Sequence, residues 1–256
     1  MLDTDKINQF AQVLDEAAAN VKAVGQISKV QSFSESEAYA IQFASMQRRF
    51  DRGEKFVGIK MGFTSKAKME QMGVNDMIWG ILTDAMLIKP GTTTPFSKYI
   101  HPRVEPELCF LVKKTIDRPL TKDDIPSYVE GVAAAIEIID SRYENFKFSL
   151  EDVIADNCSS TGLCIGEMHP IDADISDLKI DLIVDGEVVQ SGSSKAILGD
   201  PWESFLAGSR LASKYEWKIP AGSYVMAGAA TSAVYLKEGN KVSAVVEGLG
   251  EVEFGV

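Results

Sequence analysis

Three glutamates lie inside stretches of this sequence that otherwise read as apolar strands, and a chain carrying them can only adopt folds that give them a partner. Glu105 and Glu107 belong to HPRVEPELCF and Glu137 to AAIEIID. Residues two apart on a strand project from the same face, so Glu105 and Glu107 point together. Two like charges held that close in an apolar wall are unfavourable unless a cation lies between them. A single glutamate in such a place is ordinarily explained by an ion pair, here with Lys60, Arg103 or Arg142. Three together point to a metal ion. Pro106, between the first two, cannot donate to a ladder, which predicts an edge strand or a bulge opening a cavity beside the carboxylates.

Composition narrows the metal. The chain has only two histidines, His101 and His169, and three cysteines, Cys109, Cys158 and Cys164, without the paired spacing of a zinc site or a disulfide framework. The thiols read as reduced core residues. Oxygen-only ligands select hard cations, so Mg²⁺ or Mn²⁺ is the expected cofactor; calcium takes similar ligands. With three protein ligands, a roughly octahedral ion keeps about three positions for water or a bidentate substrate such as a 2-oxo acid. Such an ion stabilises an enolate as negative charge develops on the 2-oxo oxygen. A formal net charge of −11 argues against partnership with nucleic acid or anionic membranes. The N-terminal MLDTDKINQF lacks a basic region followed by an apolar run, and no window reaches the ~18 apolar residues of a membrane span, so a cytoplasmic protein is expected.

The remaining pattern is α+β. Apolar Ile7, Phe10, Ala11, Leu14, Ala18 and Val21 form a helical stripe, and a second helix runs from a Ser34 or Ser36 cap to about Gly53. KFVGIKMGFTS reads as a buried strand interrupted by Lys60, which either reaches solvent along its stem or faces a pocket. KAKMEQMGV is helical in pattern, and Asp84 is either a turn former or a polar group over a pocket. Thr121 suits a helix start, Ser149 caps a short helix, Asp185-Gly186 turns a hairpin, and Pro201 opens another helix. Asp156, Asn157, Ser159, Ser160 and Thr161 form a polar cluster that is either a turn or a set of ligand contacts. Glycine-rich strands close the chain as a rolled sheet. A loose division falls near residue 95, with a helical and small α/β region over 1–95 and a β-rich metal-binding region over 96–256.

KMGFTS, the MGV and WGILTDAM segments, HPRVEPEL, AIEIIDSRYENFKFSLEDVIADN and VMAGAATSA, spanning most of the chain, resemble the fumarylacetoacetate hydrolase superfamily, in its branch of 2-hydroxypentadienoate hydratases and 4-oxalocrotonate decarboxylases. The resemblance implies that family's fold, a rolled mixed or antiparallel sheet core with flanking helices. It also implies that Glu105, Glu107 and Glu137 bind Mg²⁺ or Mn²⁺ and that Asp156, Ser160 and Leu82 line the substrate site, with Lys60 receiving charge at the 2-oxo group. KMGFTS, WGILTDAM, FKFSLEDV and AGAATSA are closer to the decarboxylases. That implies conversion of 2-oxohex-3-enedioate to 2-hydroxypenta-2,4-dienoate and CO₂ in meta-cleavage degradation of aromatic compounds, by a homo-oligomer able to join a complex with the pathway hydratase. Hydratase activity on the dienol, or a non-catalytic stabilising role, are the alternatives. Arg142 and Lys147 are the sequence candidates for contact with the distal carboxylate.

Overall fold

The computed structural model describes residues 1–65, 69, 70, 76–172 and 174–256. Most of the helical pattern expected over 66–74 therefore lies outside the described residues. The two N-terminal helices form where the apolar stripes predict. In α1 (Thr4–Ala19) Asp3 caps the first turn by accepting from Lys6 N, and Phe10, Ala11, Leu14 and Ala17 are buried. In α2 (Glu35–Asp51) Ser34 and Glu37 make a reciprocal capping box. The helices pack on each other and are tied by buried Asp15, which accepts from Arg48 and Arg52 of α2 and its cap.

Among the described residues twelve strands follow: β1 (Phe56–Gly62), β2 (Ile78–Thr83), β3 (Leu87–Ile88), β4 (Arg103–Val112), β5 (Val129–Ile139), β6 (Ser160–Ile165), β7 (Lys179–Val184), β8 (Glu187–Ser193), β9 (Tyr224–Met226), β10 (Val234–Tyr235), β11 (Lys241–Val246) and β12 (Gly250–Gly255). One sheet has the order β2-β1-β9-β4-β5-β6-β3, with β10 also pairing β4, and the other the order β12-β11-β7-β8. Strands from both sides of residue 95 pair in the first sheet. The β7–β8 hairpin turns at Asp185 and Gly186, both at positive φ as a two-residue turn of this hand requires. Thr121 caps only a short 3₁₀ segment and the single helical turn Ile125–Tyr128, because Val129 already enters β5. Asp84 is a turn former: it is exposed, and its Oδ1 accepts from Lys55 N at 2.9 Å.

The second sheet and the helix Pro201–Lys214 cover the same face of the first sheet. In the row Pro106, Ile136 and Cys164, the last reaches Glu253 O of β12, and Phe110 stacks on Trp202 and meets Phe205 edge-on. Glu105, Glu107 and Glu137 have the opposite parity, so they point away from that apolar layer. Pro106 does not mark an edge or a bulge. β4 is central, but the neighbouring chain leaves it between β9 and β10, and the missing N–H of Pro106 faces that interruption. Only its carbonyl needs a partner there, and Ala230 N supplies it at 3.0 Å.

The parallel pairing of β1 with β9 depends on Gly58, where a Cβ would stand 2.2 Å from the backbone oxygen of Tyr224. Replacing it with alanine forces the strands apart. Gly58→Ala is expected to lower unfolding free energy by about 1–3 kcal/mol or more, read as the denaturation midpoint against wild type.

Candidate metal centre

The β4–β5 register brings the three glutamates together. Glu105 stands directly opposite Glu137, and Glu107 opposite Ala135, whose methyl leaves space over that position. Side chains directly opposite on neighbouring strands share a face and lie close, so this pairing would repel if nothing intervened. All three residues are buried, and one carboxylate oxygen of each lies within 4.8 Å of the others.

The interrupted neighbour of β4 fixes Glu107. Ala227 N donates to Leu108 O and Ala230 N to Pro106 O, and between them Gly228 N donates to Glu107 Oε2 at 2.8 Å. Gly228 has φ +97°, and a Cβ there would fall 2.2 Å from Thr64 Oγ1, so only glycine fits. Glu107 Oε1 and Glu137 Oε1 are buried without a hydrogen-bond partner among the described residues, and Glu137 Oε2 meets the Lys60 ammonium at 2.9 Å without hydrogen-bond alignment. Buried carboxylate oxygens left this way are costly unless a cation meets them. The donor set therefore fits a hard divalent ion.

Lys60 projects from β1 into the same cluster. Its ammonium lies 2.9 Å from Glu137 Oε2, an ion pair off hydrogen-bond alignment, and donates to Cys158 O at 3.2 Å. Burial alone would lower its pKa, but the charges of Glu137, Glu105 and Glu107 outweigh burial and hold it above its ordinary range. Lys60 is thus a fixed cation and not a lysine reaching solvent. Burial pushes Glu107 well above the usual carboxylate range, reinforced by Glu137 and Glu105. Burial likewise pushes Glu137 up to about 7, with Lys60 pulling the other way.

The carbonyl that Lys60 meets belongs to an unusual turn. Asn157, Cys158 and Ser159 all have left-handed φ, 49°, 53° and 59°. Each such residue costs roughly 1–2 kcal/mol, so the surroundings must impose the conformation. Asn157 does so by imitating a strand: its Oδ1 accepts from Ile81 N and its Nδ2 donates to Ile81 O. Gly80 makes room, since a Cβ there would meet Asn157 O at 2.7 Å and Ser160 Oγ at 3.0 Å. On the other side Arg142 clamps the turn. It contacts Asp156 through Nε and backbone N, and its remaining guanidinium donors reach the carbonyls of Asp140, Asp156 and Ser160 and the hydroxyl of Thr161.

Of the sequence candidates, Glu105, Glu107, Glu137 and Lys60 meet in one cluster. Ser160 adds a buried hydroxyl without a hydrogen-bond partner, and Leu82 lies buried on the face that Lys60 shares. Asp156 has both oxygens engaged, Oδ1 by Arg142 and Oδ2 by Arg142 N and Ser141, so its visible work is to hold the turn. Burial pushes its carboxyl up to about 6 against the pull of Arg142. Arg142 is committed to this clamp and Lys147 is exposed, which leaves neither placed to meet a substrate carboxylate. Sequence reasoning missed Gly228 and the Cys158 carbonyl as site elements; the alanine-glycine run after VM was the available signal. A cavity of about 510 Å³ beyond the clamp borders Ser160 but neither Lys60 nor any of the three glutamates. Its arginines are already paired with Glu54, Asp15 and Asp156, so the chemistry belongs to the carboxylate cluster.

Residues 56–256 match the family model described as fumarylacetoacetate (FAA) hydrolase, C-terminal. A 4-oxalocrotonate decarboxylase of Pseudomonas sp is 47% identical over 249 residues, 97% of each chain. A 2-hydroxypent-2,4-dienoate hydratase of Pseudomonas putida is 32% identical over 210 residues, 78% of this chain and 92% of the other. The solved structure of 4-oxalocrotonate decarboxylase from Pseudomonas putida G7, complexed with magnesium and adipate, superposes with a TM-score of 0.96 at 35% identity, covering 100% of this chain and 98% of that one.

Two outcomes follow from the geometry. A metal takes only the ionised carboxylates, so Mg²⁺ affinity should strengthen as pH rises through about 7, where Glu137 titrates, with protons released on binding in calorimetry. Affinity flat from pH 6 to 8 would contradict this. Asp156→Ala strands the buried Arg142 charge and should cost about 3–5 kcal/mol in denaturant unfolding; a loss under 1 kcal/mol would remove the clamp role.

Proposed function

The chain belongs to the fumarylacetoacetate hydrolase family, and from that premise we propose that it is a metal-dependent carboxy-lyase converting 2-oxohex-3-enedioate to 2-hydroxypenta-2,4-dienoate and CO₂. The observation that carries this reading is the buried triad, with Glu107 Oε1 and Glu137 Oε1 lacking a hydrogen-bond partner among the described residues, beside a fixed ammonium, in a chain more similar to the decarboxylase reported above, at 47% identity, than to the hydratase, at 32%.

Glu105, Glu107 and Glu137 hold Mg²⁺ or Mn²⁺. When bound, the ion supplies Lewis acidity toward the 2-oxo acid end of the substrate. Lys60 brings a second positive charge to the same place, fixed by Glu137 and the Cys158 carbonyl, so it needs no reorganisation as charge develops. In the reaction the bond to the distal carboxylate breaks and CO₂ leaves. The electron pair moves through the adjacent double bond to the 2-oxo oxygen, which takes up one proton to give the dienol. Lys60, as an ammonium, is suited to donate that proton. Ser160 offers its free buried hydroxyl to the substrate, Leu82 supplies apolar wall, and Asp156 keeps Ser160 and the Cys158 carbonyl in position through Arg142.

No described helix is long and apolar enough to cross a membrane. Cytoplasmic placement and self-association are part of the same reading, and a complex with the pathway hydratase rests on the family resemblance.

Purified protein with Mg²⁺ and 2-oxohex-3-enedioate should release CO₂ stoichiometrically with dienol. Chelation should abolish this and Mn²⁺ restore it, and the Glu105→Gln/Glu107→Gln variant should be inactive. Lys60→Ala should lower kcat by about 10²-fold or more with the metal still bound. Water addition to 2-hydroxypentadienoate without CO₂ release would instead assign the hydratase reaction, and inactivity on both substrates would favour a stabilising partner.

A further inference from the structure

A six-carbon 2-oxo diacid carries one carboxylate to the metal and leaves the other needing a cation, while Arg142 is consumed by the Asp156 clamp. We infer that Arg103 receives this distal carboxylate and so sets the preference for a diacid over a monoacid; the inference deepens the decarboxylase reading and rests on it.

Arg103 opens β4 two residues before Glu105 and therefore projects from the face that carries the triad. Two residues along a strand span about 6.5–7 Å, comparable to the distance from the chelating end of a six-carbon diacid to its far carboxylate. The register places Ile139 of β5 on one side of Arg103 and Tyr235 of β10 on the other. Its guanidinium packs against two rings, with Cζ 4.1 Å from the ring centroid of Phe146 and 4.2 Å from that of Tyr235. Nη2 donates to the Tyr235 hydroxyl. Nε is buried with no partner, and among the described residues no carboxylate pairs with this arginine. That sets it apart, because Arg48, Arg49, Arg52, Arg118, Arg142 and Arg210 are each paired with an acid. In a chain with 37 acidic residues, an arginine packed against two rings, with no carboxylate paired to it among the described residues, has its fork open to a ligand anion.

The support around it is built at a conformational cost. Asn145 and Phe146 are both left-handed, with φ of 58° and 57°, and that pair of residues carries the Phe146 ring onto Arg103. The His101 ring contacts Phe146 from the other side at 5.2 Å, while its Nε2 lies 2.7 Å from Ser141 O. Packing fixes the guanidinium plane before substrate arrives, so little side-chain freedom is lost on binding. A planar fork also fixes the rotation of the carboxylate it holds. It can thereby set the breaking carbon–carbon bond across the plane of the conjugated system, the orientation in which the electron pair flows into it.

The test uses two non-reactive probes that differ only at the far end, 2-oxoadipate and 2-oxohexanoate, with Mg²⁺-loaded protein. Wild type should bind the diacid about 10²–10³-fold more tightly. Arg103→Met should abolish that difference while leaving 2-oxohexanoate and Mg²⁺ affinities unchanged. Arg103→Lys should restore only part of it, and Phe146→Leu should narrow it several-fold with the charge intact. Retained discrimination in Arg103→Met overturns the inference, as does equal loss of both probes, which is what a merely structural arginine would produce. Failure of wild type to release CO₂ would count against the decarboxylase reading alone, because the probe comparison does not require turnover.

Discussion

The structure depends on electrostatic repulsion that the fold creates and does not itself resolve. Glu105 and Glu137 are paired directly across two central strands, and Glu107 is one step further on the same face. Burying three carboxylates side by side is worth doing only if a cation joins them, and among the described residues Lys60 brings one positive charge to Glu137. A divalent ion would balance the cluster. The surrounding elements make that arrangement rigid: the apolar layer behind the sheet sets the parity of β4 and β5, Gly228 fixes one carboxylate, and the turn at Asn157 fixes the lysine.

Backbone cost is concentrated in the same region. Asn157, Cys158 and Ser159 form a left-handed run against β2, and Asn145 and Phe146 form another beside Arg103. The first run is held by the Asn157 side chain against Ile81 and by the Arg142–Asp156 ion pair, since Arg142 also bonds the carbonyls of Asp140 and Ser160. A buried pair of this kind adds little net stability compared with apolar packing, but it specifies one arrangement of the loops it joins.

Local periodicity made the two N-terminal helices, the Ser149 cap, the Asp185-Gly186 hairpin and the alternation of β4 and β5 legible in the sequence. Strand parity alone put Glu105 and Glu107 on one face, and ligand chemistry made a hard metal the expectation there. Glu137 joined them through a register set by thirty residues of intervening chain, which no local pattern specifies. Pro106 misled for a related reason: its missing donor is tolerated in a central strand because a distant segment, Ala227 to Ala230, leaves the ladder at that point. The family resemblance implies a substrate role for Asp156, and Arg142 is a sequence candidate for the distal carboxylate, because the partner of each is visible only once the chain is folded. The structure spends both on each other.

The most direct test of the central claim is the position of a bound Mn²⁺ in crystals of the protein, located by anomalous scattering. The account predicts one site per chain, coordinated by carboxylate oxygens of Glu105, Glu107 and Glu137. Manganese bound elsewhere, or a fully soaked crystal with this cluster empty and Lys60 still paired to Glu137, would contradict it.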